Sequence, residues 1–331
     1  MKRVAVVGAT GAVGQVMTRL LEERDFPVSS IKFLASGRTA GSTVSFRGRD
    51  YVVRALASET FEDVDIVLSS VPATVSREYS PVAARAGAVV VDNSSAFRMD
   101  PDVPLVVPEV NPGDALAHKG IIANPNCSTI QMVVALKPLH DVARVRRVVV
   151  STYQSASGAG QSGVDELTAQ QHALAHEYDV PAPHKFAHRL AGNCLPQIDD
   201  FLPSGYTKEE MKLVEETRKI MGDATIDVCP TCVRVPVSYA HSESILVECD
   251  RPITPVEARA LWANAPGIMV VDDPSGRRYP LAIDATGRDE VFVGRVRQDL
   301  ARPNALLFWV VSDNLRKGAA TNAVQIAELL G

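Results

Sequence analysis

The chain has 331 residues, of which 46 % are hydrophobic and 22 % are charged, and its net charge is -5. This length predicts two domains of ordinary size, and the composition is that of a compact globular protein rather than a disordered or fibrous one. Lysine and arginine are scattered among acidic residues, which argues against a nucleic-acid partner. The apolar runs all fall short of the about 18 residues needed to cross a bilayer, so we expect no membrane partner.

The cysteines and the first residues predict a cellular compartment. Five cysteines are an odd number in a long chain, which argues against a disulfide framework. The apolar run at residues 4–7 is interrupted by Gly8 and is too short for the core of a signal peptide. We therefore expect a cytoplasmic protein.

Strands and helices alternate along the first third of the chain. Residues 3–7 predict a buried parallel strand, and a glycine turn then leads into an amphipathic helix that ends near Arg24. Further strands are predicted at 31–35, 65–69 and 88–92, with a helix over 76–86. This alternation predicts an α/β fold with a Rossmann-like, doubly wound parallel sheet.

From about residue 145 the pattern is richer in strands and predicts a second, α+β domain with a mixed sheet. Its strands are expected at 147–153, 231–237, 244–249, 268–271, 291–297 and 306–312, and its helices at 163–175 and 208–220. A closing helix follows at 319–330. We predict an NADP-binding domain at 1–130, completed by the C-terminal helix segment 313–331, and a catalytic, substrate-binding and dimerisation domain at 131–312.

The glycine turn predicts a dinucleotide site. Gly8, Gly11 and Gly14 follow a strand and open a helix, so backbone N–H groups at the helix N-terminus can face a pyrophosphate. Their spacing is G-x-x-G-x-x-G rather than the usual G-x-G-x-x-G. A glycine turn that only packs the helix on the strand is the alternative.

The end of the second strand favours NADP over NAD. An NAD site would place a carboxylate there, about 20 residues after the turn, to bind the ribose 2′-hydroxyl. This chain has Ser36, Arg38 and Thr39 instead, and a guanidinium with two hydroxyls suits a 2′-phosphate. A solvated surface arginine is the alternative.

Cys127 is the candidate nucleophile. It stands in Asn-Pro-Asn-Cys-Ser-Thr at 124–129, just before an apolar run at 130–136. Pro138 marks the expected end of the helix that this run predicts. This spacing places the thiol at a helix N-terminus, which lowers a cysteine pKa by favouring the thiolate. A buried structural cysteine is the alternative.

Three segments carry a family resemblance. The Asn-Cys-Ser-Thr of 126–129, the glycine turn, and Val-Val-Ser-Asp-Asn-Leu-Arg-Lys-Gly-Ala-Ala at 310–320 resemble the aspartate-β-semialdehyde dehydrogenase family, and the likeness covers nearly the whole chain. The resemblance implies that Cys127 carries the acyl group, that Gln154 orients it, and that His241 is the general base, seven residues after a substrate-binding Arg234. Because seven is odd, one straight strand would point the side chains of Arg234 and His241 in opposite directions. A bend is therefore required if both line one pocket.

The resemblance implies the remaining site residues as well. Chemically, Arg234 suits the substrate carboxylate and Glu209 its ammonium. Lys212, on the same helix face as Glu209, is free to reach the phosphate, and Arg98, which follows a strand end, is the second phosphate candidate. Taken singly, Glu209 and Lys212 are also typical of an ordinary exposed ion pair. The implied substrate contacts are Arg98, Asn126, Glu209, Lys212 and Arg234, and the implied cofactor contacts are Gly8, Thr10, Gly11, Ala12, Val13, Ser36, Arg38, Thr39, Ser157, Gly158 and Asn314.

Several other patterns have a plain structural interpretation. Cys229 and Cys232 have C-x-x-C spacing without a second pair, and His172 and His176 share a helix face, so we expect no metal site. The G-x-G-x-x-G at 158–163 is interpreted as a pocket-lining loop. Two places depart from the family pattern. Glycine is usual at the position of Ala240, and the stretch 189–193 also differs.

These features together predict the reductive dephosphorylation of L-aspartyl-4-phosphate to L-aspartate 4-semialdehyde by NADPH, through a Cys127 thioester. The route leads to lysine, threonine and methionine. The resemblance also implies a homodimer or homotetramer. An N-acetyl-glutamyl-phosphate reductase and a non-catalytic NADP-binding homologue are the alternative hypotheses.

Overall fold

The computed structural model describes residues 1–331, apart from the side chains of Ser58 and Glu59. The chain forms two compact units, residues 1–126 with 319–331 (the first unit) and residues 127–318 (the second unit). The sequence predicts domain boundaries near residues 130 and 313, and the two observed boundaries lie a few residues from these positions.

The strands and helices follow one another in chain order. The strands are β1 Lys2–Val7, β2 Val28–Ala35, β3 Thr43–Phe46, β4 Arg49–Val52, β5 Arg54–Ala55, β6 Ile66–Ser69, β7 Val89–Asp92, β8 Ile121–Ala123, β9 Val145–Gln154, β10 Asp227–Arg234, β11 His241–Cys249, β12 Ile268–Val270, β13 Val291–Gln298 and β14 Ala305–Ser312. The α-helices are α1 Ala12–Glu23, α2 Ala73–Arg85, α3 Cys127–Ala143, α4 Gln161–Ala175, α5 Lys208–Met221, α6 Pro255–Ala263, α7 Ala282–Ala285 and α8 Thr321–Glu328. Short 3₁₀ turns lie at Ser58–Phe61, Pro112–Ala117 and Ala156–Ala159, and a π-helical turn at Arg316–Ala320.

The first unit is built on a parallel sheet with the strand order β5-β2-β1-β6-β7-β8. Its central strands are almost continuously apolar and buried, as expected for strands covered on both faces. The order reverses direction at β1, next to the glycine turn, which is where open α/β sheets bind ligands. The predicted Rossmann-like sheet is confirmed. The β3–β4 hairpin was not predicted.

Helix α8 completes the first unit although it comes last in the sequence. It packs against α1, where Arg24 and Glu328 form two hydrogen bonds of 2.7 Å. Lys2 Nζ also donates to the Leu330 carbonyl at 3.1 Å. Val324, Ile326 and Ala327 are buried.

The second unit is built on a mixed sheet with the order β10-β9-β11-β14-β13-β12. Strand β9 is parallel to β10 and antiparallel to β11, and β14 is antiparallel to both β11 and β13. Helices α3, α5 and α6 contact the sheet, and Trp262 of α6 packs on Phe308 and donates to the Ala135 carbonyl at 2.8 Å. The predicted mixed sheet is confirmed.

Several predicted element ends lie a few residues from the observed ones, and two of them are described here. Helix α3 does not end at Pro138 but continues to Ala143, with the proline inside it. Leu139 and Ala143 are buried, and their packing outweighs the hydrogen bond that proline cannot donate. The strand predicted over 231–237 ends at Arg234, and the next strand begins at His241.

Within the part of the chain that the structure describes, every helix falls short of the length and apolarity that a membrane span requires.

Candidate active site

Cys127 is the first residue of α3 and is half-buried. The helix N-terminus carries partial positive charge, which favours a thiolate at this position. A Cβ atom at Gly318 would lie only 3.0 Å from the Cβ of Cys127, so the chain passes close to the nucleophile where a glycine stands. The structure therefore agrees with the predicted placement of the thiol at a helix start.

Gln154 links the nucleophile helix to α5. It is the last residue of β9 and is buried. Its Nε2 donates to Ser128 Oγ at 2.7 Å and to Glu209 Oε1 at 3.2 Å. The amide therefore connects the residue that follows Cys127 to Glu209.

Lys212 is paired with two carboxylates. Its Nζ donates to Glu209 Oε2 and to Asp199 Oδ2, both at 3.0 Å. Burial would lower the pKa of Lys212, but the two carboxylates outweigh burial and raise it. Glu209 is buried, so this pair is not the ordinary exposed ion pair that the two residues suggest when taken singly. Sequence reasoning missed Asp199, because nothing local marks it.

Arg234, the last residue of β10, is buried. Its Nη1 donates to the Ser155 carbonyl at 2.7 Å, and its guanidinium lies 5.9 Å from the centre of the Phe186 ring. It lines a cavity of about 260 Å³ together with Lys185, Phe186 and Asp199. Burial lowers the pKa of Arg234, but a guanidinium remains charged at neutral pH. A buried cation at a cavity wall suits a carboxylate ligand.

His241, the first residue of β11, is fully buried. Its Nδ1 accepts a hydrogen bond from the Ser155 backbone N–H at 3.0 Å, and Ser155 Oγ lies at the same distance. Nε2 makes no hydrogen bond to the described residues. Burial, and then the Arg234 charge, lower the pKa of His241 to about 3. The ring is therefore neutral at pH 7, with its proton on Nε2.

The turn between Arg234 and His241 resolves their odd spacing. Arg234 ends β10 and His241 begins β11, and these strands flank β9 on opposite sides. Ala240 closes the turn with φ of +66°, a left-handed conformation that favours glycine. A glycine would adopt this conformation with less strain than the alanine of this chain.

Asn314 holds the turn and the loop after β9 together. Its Oδ1 accepts from Ser155 Oγ at 3.1 Å, from Ser157 Oγ at 3.0 Å and from the Ala240 N–H at 3.0 Å. A Cβ at Gly158 would lie 2.8 Å from Arg234 Nη1 and 3.1 Å from His241 Nε2. The loop that contains the G-x-G-x-x-G stretch therefore packs directly against the two predicted catalytic and substrate-binding side chains.

In the first unit, the glycine turn leads into a helix whose N-terminus is open to an anion. Gly8 has φ of +81°, and a Cβ there would lie 2.2 Å from the Ser70 carbonyl oxygen. Gly11 precedes α1 and provides no side-chain cap, so the N–H groups of the first turn, which includes Ala12 and Val13, are available to an anion. The turn therefore fits a dinucleotide.

The turn after β2 lies beside the glycine turn. Thr10 Oγ1 and Thr39 Oγ1 are 3.1 Å apart, whereas Ser36 and Arg38 are exposed. The structure thus brings the residues predicted to hold the 2′-phosphate next to those predicted to hold the pyrophosphate.

Arg98 and Asn126, also in the first unit, are both buried. The Arg98 Nε donates to the Asn124 carbonyl at 2.9 Å and its Nη2 to the Asn93 carbonyl at 3.0 Å. Backbone carbonyls from two strand ends therefore fix the orientation of this guanidinium.

The remaining cysteine and histidine patterns differ in exposure. Cys229 is exposed, whereas Cys232 is buried and burial raises its pKa. His172 and His176 are exposed and their rings stack 4.2 Å apart. Among the residues that the structure describes, no group of histidine, cysteine and carboxylate side chains is placed to hold a metal ion.

Comparisons with known proteins agree with this geometry. Residues 3–118 match the family described as "Semialdehyde dehydrogenase, NAD binding domain", and residues 136–317 match "Semialdehyde dehydrogenase, dimerisation domain". The aspartate-semialdehyde dehydrogenase of Aquifex aeolicus is 56 % identical over 331 residues, covering 99 % of this chain and 97 % of that protein.

Two solved structures extend the comparison. Aspartate semialdehyde dehydrogenase II of Vibrio cholerae complexed with ASA is 49 % identical, with a TM-score of 0.96 and coverage of 100 % of this chain and 98 % of that chain. The Candida albicans enzyme with NADP is 27 % identical, with a TM-score of 0.75 and coverage of 100 % and 98 %.

A dinucleotide-binding parallel sheet, combined with a helix-terminal cysteine in a second, mixed-sheet domain, defines an NAD(P)-linked oxidoreductase of aldehydes. The chain belongs to the aspartate-semialdehyde dehydrogenase family. The resemblance predicted from the motifs at 126–129 and 310–320 is therefore confirmed.

Proposed function

We propose that the protein uses NADPH to reduce L-aspartyl-4-phosphate to L-aspartate 4-semialdehyde and releases inorganic phosphate, on the route to lysine, threonine and methionine. The observation that carries this proposal is the position of Cys127 as the first residue of α3, next to a polar network that reaches Glu209 and Lys212. The family membership supports the same reaction.

The chemistry begins at the sulfur. The Cys127 thiolate attacks the acyl carbon, a C–S bond forms, and the C–O bond to phosphate breaks. When bound, the nicotinamide cofactor supplies a hydride to the thioester carbon. Electrons from the resulting oxyanion then re-form the carbonyl, the C–S bond breaks, and the aldehyde leaves with the thiolate restored.

His241 is suited to stabilise that oxyanion in this direction. The hydrogen bond from Ser155 leaves Nε2 as the protonated atom, and a buried N–H without a protein partner is available to a substrate oxygen. The base role predicted for the oxidative direction requires the other tautomer, with Nδ1–H donating to Ser155 Oγ, 3.0 Å away. That base role stays a prediction.

The substrate groups match the charges of the second unit. Arg234 binds the substrate carboxylate, Glu209 its ammonium, Lys212 its phosphate, and Gln154 orients the acyl group. Burial of Arg234 and Glu209 supports these assignments, because charged pairs are strongest away from water. Arg98 and Asn126 remain predicted substrate contacts.

NADP is the proposed cofactor. The glycine turn and the N-terminus of α1 hold the pyrophosphate, and Ser36, Arg38 and Thr39 hold the 2′-phosphate. The contact between Thr10 and Thr39, and the NADP bound to the Candida albicans relative, support this choice. The roles of Ser157, Gly158 and Asn314 as cofactor contacts stay predictions.

We also propose a homodimer, or a homotetramer built from such dimers, that works in the cytoplasm. The sheet face opposite Phe308 carries half-buried apolar side chains, among them Leu246, Leu307 and Trp309. The Trp309 ring lies 5.3 Å from that of Tyr153, and the match of this unit to a dimerisation domain supports its use as the interface.

Trapping of the covalent intermediate tests the reaction. Mixing the protein with aspartate semialdehyde and NADP, without phosphate, should give an acyl adduct that intact-mass and peptide spectrometry assign to Cys127. A Cys127→Ser protein should give none, whereas Cys194→Ser, which changes an exposed cysteine, should give the same adduct. Full turnover by Cys127→Ser would contradict the mechanism.

Kinetics separates the alternative functions. With phosphate and NADP present, N-acetyl-glutamate semialdehyde should be a poor substrate, because its amine is acylated and cannot pair with Glu209. Preference for the N-acetylated substrate would make the protein an N-acetyl-glutamyl-phosphate reductase. Absence of turnover with both would leave a non-catalytic homologue.

A further inference from the structure

Lys212 and its two carboxylates form a triad with one excess negative charge. Both carboxylate oxygens lie 3.0 Å from Lys212 Nζ. Phosphate is also an anion, so the two carboxylates repel it, and it is bound more tightly when one of them moves away from the ammonium. The geometry decides which carboxylate gives way.

Glu209 is the partner that stays. Only 8 % of its side chain is exposed, and its other oxygen accepts the 3.2 Å hydrogen bond from Gln154. It also shares helix α5 with Lys212, three residues away, where the two side chains are natural neighbours. Moving it would leave a buried charge without compensation.

Asp199 is the partner that can leave. Its side chain is 36 % exposed, and it lines the cavity of about 260 Å³ beside Arg234 and Lys185. Asp199 belongs to neither a helix nor a strand and has φ of +68°, a left-handed conformation. A carboxylate at this cavity wall stands close to the groups assigned to an anionic substrate.

We propose that Asp199 competes with the phosphate of the substrate for the Lys212 ammonium, and thereby sets how weakly phosphate is held. This inference rests on the proposed function. In the free enzyme, Asp199 is the second partner of the half-buried ammonium, beside Glu209. When phosphate binds, the Asp199 carboxylate turns to water, and its return helps to expel phosphate once the thioester has formed.

Replacement of Asp199 by asparagine tests the competition. Asparagine tolerates the left-handed backbone, and its side-chain oxygen can still accept the Asp200 N–H, as Asp199 Oδ1 does at 2.9 Å. The KM for phosphate in the oxidative direction should fall about fivefold, the size of a partly exposed ion-pair effect. The KM for NADP should not change.

Asp200→Asn is the matched control. It removes the same charge one residue away, but Asp200 pairs with Lys208 and its side chain is 75 % exposed. This variant should keep the wild-type KM for phosphate. An unchanged or raised KM for phosphate in Asp199→Asn would overturn the proposal, as would an equal fall in both variants.

Phosphate binding keeps this test separate from that of the proposed function. If the wild-type protein does not turn over aspartate semialdehyde, the proposed reaction fails. Inorganic phosphate can still be titrated into all three proteins and followed by ³¹P NMR. Tighter binding by Asp199→Asn alone would then support competition at Lys212, and equal binding by all three would refute it.

Discussion

The backbone N–H of Ser155 donates to Nδ1 of His241 over 3.0 Å. A main-chain donor cannot turn away, so it selects the neutral tautomer that carries its proton on Nε2. The Ser155 hydroxyl at the same distance is the adaptable partner, because it can either donate or accept. The main chain of Ser155 therefore fixes the resting tautomer of the ring, and its hydroxyl is a second polar group beside the same nitrogen.

Burial of His241 should make stability sensitive to acid. Its pKa is about 3 in the folded protein, below the ordinary value of 6.5, so the unfolded chain binds a proton in this window that the folded chain does not. Stability is therefore lost as pH falls from about 6.5 toward 3, by about 2 kcal/mol between pH 7 and pH 5. Urea denaturation of wild-type and His241→Asn proteins measures this, and the variant should lose about 2 kcal/mol less. His172→Asn, at an exposed position, should behave like wild type.

Gly158→Ala should damage catalysis without unfolding the protein. The new Cβ would meet Arg234 Nη1 at 2.8 Å and the His241 ring at 3.1 Å, so both side chains must shift. Misplacement on the scale of 1 Å costs about 100-fold in rate. We expect kcat/KM for the semialdehyde to fall by roughly this factor, with the unfolding midpoint little changed. Gly113→Ala, where a Cβ meets nothing within 4 Å, is the control. Wild-type kinetics in Gly158→Ala would disprove the close packing.

Arg38→Ala should weaken NADP selectively. Loss of a charge-assisted contact to the 2′-phosphate is expected to raise the KM for NADP roughly 10- to 100-fold. The KM for NAD should stay the same, because NAD has no phosphate there. Arg49→Ala removes an equal charge from the exposed strand β4 and should change neither value. A parallel rise for both cofactors would assign Arg38 to the shared part of the dinucleotide.

Trp309→Asp should dissociate the proposed dimer. A two-fold interface contains each substitution twice, once in each subunit. Both copies would lose the apolar contact of Trp309 and bury a carboxylate instead. We expect the dimer to be at least roughly 100-fold weaker by analytical ultracentrifugation. Leu300→Asp, at a fully exposed apolar side chain outside the sheet, should leave association unchanged. A Trp309→Asp dimer of wild-type strength would place the interface elsewhere.

The sequence predicted what local patterns encode. The glycine turn and the thiol at a helix start are local features, because a strand or helix and its adjoining turn share one short stretch of chain. The end of α3 was missed, because the rule about Pro138 concerns backbone hydrogen bonding while burial of Leu139 decided the outcome. The bend between Arg234 and His241 follows from their odd separation of seven residues along the chain.

What the sequence did not reveal depends on contacts between distant segments. Asp199 reaches Lys212 across 13 residues, and Ser155 reaches His241 across 86. No period or spacing marks such pairs, since the first forms only when the loop at Asp199 packs on α5 and the second only when β9 lies beside β11.

The return of α8 to the first unit has a consequence for biosynthesis of the chain itself. A ribosome makes residues 127–318 before residues 319–331, so the inserted unit has its full sequence while the unit around it still lacks one helix. Domains generally fold as units during synthesis. The nucleotide-binding fold is therefore completed last, and the surface of α1 that α8 covers is exposed to chaperones and proteases for most of translation.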